Sequence, residues 1–188
     1  MSLTDDAFLG GRVRLLQPSS GYRTNQDSVL LAAFAHGPRP ARLVVDLGAG
    51  VGPLAIFLLM TGAARRALLV ERDEAAAELA RQNLARNGLA DRAEVLVADV
   101  QSDALPRAGC DLVVCNPPYT EPGRGRVARG SKAAARAGRL DAFTRAAARV
   151  LGRRGAACLV YPARELGRLQ RELSDVGRPP KVATFVHA

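Results

Sequence analysis

Asn116-Pro117-Pro118-Tyr119 places a carboxamide, two ring-constrained residues and an aromatic side by side. An exocyclic amine on a planar ring is a poor nucleophile because its lone pair is delocalised. Two acceptors aimed at its protons, the Asn116 side-chain oxygen and the Pro117 carbonyl, favour a pyramidal nitrogen with that pair free. Such acceptors bind the transition state better than the flat ground state. The prolines fix the backbone so that both acceptors point one way. Tyr119 is placed to stack on a flat acceptor group. Asn116, Pro117 and Tyr119 are therefore the candidate catalytic residues. Neither a metal ion nor a covalent enzyme intermediate is required, since such chemistry is mostly positioning. The plain alternative is a Pro-Pro turn leaving a sheet edge.

A second motif lies upstream. Asp46-Leu47-Gly48-Ala49-Gly50-Val51-Gly52 follows an apolar run and precedes Pro53, which suits a first helical turn. Glycines between a strand and a helix let the backbone turn sharply and approach a ligand near the helix N-terminus. The spacing is Gly-x-Gly-x-Gly, not the Gly-x-Gly-x-x-Gly of dinucleotide sites. Preceded by an acid, it resembles the loop of S-adenosyl-L-methionine (AdoMet)-dependent methyltransferases. That likeness implies that Asp46 meets the cofactor's ammonium while Gly48, Gly50 and Gly52 make room for its methionine and ribose. Glu71, at the end of the next apolar run, is placed to accept from two ribose hydroxyls. Asp99, closing the third run, is placed to accept from the adenine amino group.

These motifs need a scaffold. Leu43 to Asp46, Ala67 to Glu71, Glu94 to Asp99, Asp111 to Asn116, Ala156 to Pro162 and Lys181 to His187 read as strands. Pro53 to Thr61, Glu74 to Asn87, Arg139 to Leu151 and Arg164 to Val176 read as helices, with Gly88, Gly152 and Gly177 as stops. In the second, Ala76, Leu79, Ala80 and Leu84 supply the apolar stripe. The alternation predicts an α/β fold, a Rossmann-like, mostly parallel sheet with helices on both faces. Residues 1–40 form an N-terminal extension and 41–188 the catalytic domain, together one structural unit. Asp27 or Ser28 is the expected N-cap of an apolar helix over Val29 to Ala35.

Composition narrows the class. The chain has 188 residues, 48% apolar and 24% charged, as expected of one soluble globular domain. The longest apolar run, Pro53 to Met60, is too short for a membrane span, and no secretory leader is visible, so a cytoplasmic protein is expected. Cys110, Cys115 and Cys158 lack metal-ligand spacing and read as reduced thiols, with no metal site. The net charge of +9 favours a polyanionic partner, nucleic acid first. Arg124, Arg126, Arg129, Lys132, Arg136 and Arg139 crowd into the segment after Tyr119, against the single acid Glu121. A basic loop there suits a phosphate backbone, with Arg124, Arg126, Arg129, Lys132 and Arg136 the candidate RNA contacts.

Taken together, the chain resembles the bacterial tRNA adenine-N6 methyltransferases that modify tRNA(Val) beside the anticodon. The likeness is carried by Gln17 to Phe34, Asp46 to Gly52, Glu71, Asp99, Asn116 to Tyr119, Phe143 to Gly155 and Pro180 to His187. It implies AdoMet as donor, adenine N6 of an RNA, tRNA first, as acceptor, and a segment Tyr22 to Asp27 lying over the cofactor, with Asp27, and Asn116 from the tetrapeptide, among the cofactor's contacts. Release-factor glutamine methyltransferases share Asn-Pro-Pro-Tyr but carry a larger N-terminal domain, and guanine-N2 methyltransferases of ribosomal RNA are a further rival. A binding module of the same fold without turnover is the non-enzymatic alternative. The fold usually ends in an antiparallel strand pair, whereas here only a sixth strand can be placed. The implied oligomeric state is a monomer, or a homodimer through that exposed sixth strand.

Overall fold

The computed structural model describes residues 2–21, 23–117 and 140–186. In chain order the elements are β1 (Leu3–Phe8), β2 (Val13–Pro18), α1 (Gln26–Phe34), β3 (Ala41–Leu47), α2 (Pro53–Met60), β4 (Ala64–Glu71) and α3 (Glu74–Arg86). There follow β5 (Ala93–Val97), β6 (Cys110–Cys115), α4 (Leu140–Val150), β7 (Leu151–Leu159), a 3-10 turn (Ala163–Glu165) and α5 (Leu166–Asp175). β3 to β7 form one five-stranded sheet in the order β5-β4-β3-β6-β7. Every pair in it is parallel, so all five carboxyl ends lie along one edge.

Alternation along the strands divides the core into two layers. Val44, Leu69, Leu112 and Val114 pack with α1, α2 and α3 on one face. Val45, Leu47, Val70, Val113 and Cys115 pack with α4 on the other. α2 is apolar on every side and buried from Pro53 to Leu59, as a helix without a polar face must be. In α3 the buried positions are Ala77, Ala80, Asn83 and Leu84, so the stripe is turned slightly from the Ala76 and Leu79 expected.

Several expectations are corrected. The N-cap of α1 is Asn25, whose side chain accepts from the Asp27 amide; Asp27 sits in the first turn and Ser28 is buried behind it. β5 stops at Val97, leaving Asp99 in the loop beyond it. β7 begins directly after α4, and Gly152 lies inside the strand instead of ending the helix. A Cβ on Gly155 would stand 2.8 Å from the Cys110 carbonyl, so glycine lets β7 approach β6 where their register shifts. Residues 181–186 form no strand, and Val182, Phe185 and Val186 are exposed. The sixth strand expected from Lys181 is therefore not formed among the described residues, and the open edges of the sheet they form are β5 and β7.

The hairpin β1–β2 was not foreseen. Leu9-Gly10-Gly11 make its turn at positive φ, and Asp5 ties it to Arg14 within the hairpin and Arg86 on α3. Two asparagines one turn apart act as a substitute strand along β2. Asn83 accepts from the Leu16 amide at 2.7 Å and donates to the Leu16 and Val51 carbonyls, both at 3.0 Å. Asn87 does the same for Arg14, accepting from its amide at 3.0 Å and donating to its carbonyl at 2.8 Å. Asn83 is completely buried. Asn83→Ala strands three backbone groups, so equilibrium denaturation should show a loss of about 2–4 kcal/mol, against about 1 kcal/mol for the half-buried Asn87→Ala.

Candidate active site

Register sets where each site residue stands. Leu47 pairs with Val70 on one side and Cys115 on the other, and Glu71 pairs with Val97. Asp46, Glu71 and Asn116 thus gather at the carboxyl edge on three adjacent strands. Asp46 lies within β3, Glu71 ends β4, and Asn116 follows β6. The strand order reverses between β3 and β6, the place where open α/β sheets leave a crevice for ligands.

Asp46 is the least ordinary residue of the site. It is 1% exposed. One carboxylate oxygen accepts from the Ala55 amide at 3.2 Å, in the first turn of α2. The other oxygen is buried and has no hydrogen-bond partner among the described residues. Burial raises its pKa to about 7, opposed by the Ala55 amide and reinforced by the Glu71 charge. The same burial, with the Asp46 charge beside it, holds the Cys115 thiol well above its ordinary range, so this cysteine is an inert core residue.

The glycine loop is held from both sides. The Gly48 and Ala49 amides donate to the Val70 carbonyl at 2.9 and 3.0 Å. The Gly50 amide donates to Glu71 Oε2 at 2.8 Å, and the Asp73 amide to Oε1 at 2.8 Å. Gly48, Gly50 and Gly52 all have positive φ, at 73°, 56° and 87°. A Cβ on Gly48 would come within 3.0 Å of the Phe143 ring, whereas one on Gly50 would meet nothing within 4 Å. The loop therefore packs on α4 at Gly48 and leaves open space over Gly50. Phe143 belongs to the site as its packing support; in the sequence it is marked as an aromatic in an alanine-rich helix and as the start of the Phe143 to Gly155 segment of the family resemblance.

Asp99 is exposed and faces Arg72 at 3.8 Å, with Gln101 N donating to it at 2.9 Å. Asp27 is half-buried and accepts from Asn25 Nδ2 at 3.0 Å. Pro117 is buried and Asn116 half-buried. Tyr22, Tyr119, Arg124, Arg126, Arg129, Lys132 and Arg136 lie outside the described residues. A network missed in the sequence fixes the chain before α1. The buried Gln17 accepts from the Thr24 amide at 2.7 Å and donates to Asp6 at 2.8 Å, while Arg23 donates to the same Asp6 oxygen at 2.6 Å. Among the described residues no cluster could hold a metal ion, and no helix is long and apolar enough to cross a membrane.

These features fit AdoMet: an unsatisfied buried carboxylate oxygen for a cation, open backbone at Gly50, and at the end of β4 the half-buried Glu71 carboxylate, each oxygen of which keeps acceptor capacity beyond its one backbone bond.

The family described as the methyltransferase small domain matches residues 24–171. A tRNA1(Val) (adenine(37)-N6)-methyltransferase of Enterobacter sp. is 32% identical over 93% of this chain and 73% of its own length. The protein of that name from Glaesserella parasuis is 36% identical over 53% of this chain and 41% of its own length. A release factor glutamine methyltransferase of Cereibacter sphaeroides is 32% identical over 60% of this chain and 38% of its own. The chain thus spans less than half the length of two of these three relatives. Among solved structures, TYW2 of Pyrococcus horikoshii in complex with MeSAdo superposes with a TM-score of 0.66 at 17% identity, over 93% of this chain and 61% of its own. TrmN of Thermus thermophilus superposes at 0.58 with 24% identity, over 78% and 40%. Both share the fold.

The raised pKa of Asp46 has a consequence for stability. In the unfolded chain this carboxyl ionises near 3.8, in the folded chain near 7. Between those values the folded form binds the extra proton, so its contribution to stability declines as pH rises through that window and stays low above it. Asp46→Asn should therefore be more stable than the parent at pH 8, by about 2–4 kcal/mol, and about equal to it near pH 4. Urea denaturation at the two pH values measures both.

Proposed function

The chain belongs to the methyltransferase small-domain family, and on that premise we propose that it transfers a methyl group from AdoMet to the exocyclic N6 of an adenine in RNA, tRNA first. The observation that carries this reading is the buried, half-satisfied Asp46 carboxylate beside Asn116, on neighbouring strands of one edge. The relatives' names supply the acceptor, and a cytoplasmic location accords with it.

When bound, AdoMet supplies an activated methyl group on its sulfonium. Asp46 holds the ammonium in a site from which water is excluded, where an ion pair is worth far more than at the surface. Glu71 accepts from the ribose hydroxyls and Gly50 lets the backbone come close. Asp27 closes the pocket from the N-terminal side, and Asp99 accepts from the adenine amino group once it turns from Arg72. The Asn116 carboxamide oxygen and the Pro117 carbonyl accept hydrogen bonds from the two N–H groups of the target amine, and Tyr119 stacks on the base. Arg124, Arg126, Arg129, Lys132 and Arg136 take the adjoining phosphates.

Glutamine N5 of a protein is the second reading. A relative of that name aligns over more than half of this chain, and its acceptor is also a planar nitrogen. Labelled AdoMet offered to unmodified tRNA, ribosomal RNA and soluble protein separates the two. Label recovered as N6-methyladenosine from tRNA is expected, and label in the protein pool instead would replace this reading with the glutamine one. Asn116→Ala is expected to keep AdoMet affinity within about twofold while transfer falls by at least about a hundredfold. Equal losses of binding and rate would remove Asn116 from the acceptor side.

A further inference from the structure

Most arginines of the hairpin and of the sheet's first half have internal partners. Arg14, Arg23, Arg42, Arg86 and Arg149 each pair with a carboxylate. Arg92 caps three backbone carbonyls near β4. Arg164, Arg168 and Arg171 are exposed and make no side-chain hydrogen bond or ion pair among the described residues, as is also true of Arg65, Arg66, Arg153 and Arg154; what sets the three apart is that they follow one another in a row just beyond the end of β7.

Arg168 and Arg171 stand three residues apart on α5, and Arg164 lies in the 3-10 turn that leads into it. The opposite face of α5 carries Leu166, Leu169 and the buried Leu173. On α5, Glu172 is rotated roughly a quarter turn from the Arg168–Arg171 face at 100° per residue and Asp175 ends that face, while Glu165 adjoins Arg164 in the 3-10 turn. At about 1.5 Å per residue the row is about 10 Å long. That is the axial rise of about three nucleotides of one strand.

Topology sets where the row starts. β7 runs parallel to β6, with Leu159 opposite Cys115, and the Val160 amide donates to the Cys115 carbonyl at 3.3 Å. The chain then turns through Ala163–Glu165 into α5. Arg164 thus follows closely on the strand end neighbouring Asn116, and Arg168 and Arg171 lead away from it along the helix. Exposed, uncommitted cations starting at a catalytic edge are suited to a polyanion that threads past that edge.

We propose that Arg164, Arg168 and Arg171 form a second RNA-contact surface, holding phosphates of the strand that flanks the methylated base. This rests on the RNA reading above and assigns it residues outside the basic loop that follows Tyr119. The contact is electrostatic and carries no sequence preference, so it acts on RNA affinity and leaves AdoMet binding and the chemical step alone.

The test is the triple variant R164Q/R168Q/R171Q, since glutamine keeps helix propensity and removes charge. Binding of unmodified tRNA is titrated against salt for the parent and the variant, with AdoMet affinity measured on both. The expected result is a salt slope shallower by about 2, from about 0.7 to 0.9 per phosphate lost. The KM for tRNA should rise by about tenfold or more at low salt, with AdoMet affinity and kcat at saturating tRNA unchanged. A parent that methylates tRNA while the variant keeps its slope and KM overturns the surface and leaves the RNA reading intact. A parent that binds no tRNA and labels protein overturns both.

Discussion

Asp46 sets the terms for the rest of this structure. A carboxylate removed from water on a central strand must find hydrogen-bond donors, and the α2 amide at Ala55 supplies only one. The fold accepts that imbalance because β3 is flanked by β4 and β6 and cannot turn the side chain outward. The result is a site whose unmet capacity is negative and shielded, one residue from the carboxyl end of β3. Partial neutralisation by protonation eases the burden in the empty protein; a cation brought by a ligand would relieve it more completely.

The N-terminal hairpin is bound into the same constraint. Asn83, buried in α3, joins Leu16 of β2 to Val51 of the glycine loop through one carboxamide. The next residue of β2, Gln17, holds Thr24, and Arg23 is fixed on Asp6. A continuous set of hydrogen bonds thus runs from the loop beneath the proposed cofactor to the segment proposed to cover it. The hairpin is consequently part of the site's frame, although none of its own side chains needs to touch a ligand.

Local sequence revealed the edge but not the frame. Asp46, Glu71 and Asn116 were legible because each closes or follows an apolar run, and parallel order then forces those ends together. Asp99 was read as a strand end and proved to lie two residues beyond β5, where local acidity gives no strand boundary. The hairpin is not legible in the sequence because Asp5 and Asp6 sit in β1, and their partners, Arg14, Arg86, Gln17 and Arg23, are supplied by tertiary contacts. Asn83 carries no mark of burial in the sequence; only the backbone of β2 beside it makes it a core residue. The tail from Lys181 carries the β-branched pattern of a strand, yet a strand exists only with a partner, and none of the described elements pairs with it.

The order β5-β4-β3-β6-β7 also explains why the two halves of the proposed chemistry share one crevice. From β3 the chain leaves through α2 towards β4, and from the β6 side α4 leads into β7 on the other sheet face. With α2 and α4 packed on opposite faces of the sheet, the crevice lies between the ends of β3 and β6, neighbours about 4.8 Å apart. Asp46 stands on one side of that opening and Asn116 on the other, so a donor held by the first lies within reach of an acceptor held by the second. Specificity for that acceptor has to come from surfaces beyond this shared edge, because the edge itself supplies the same carboxylate and carboxamide to any planar amine.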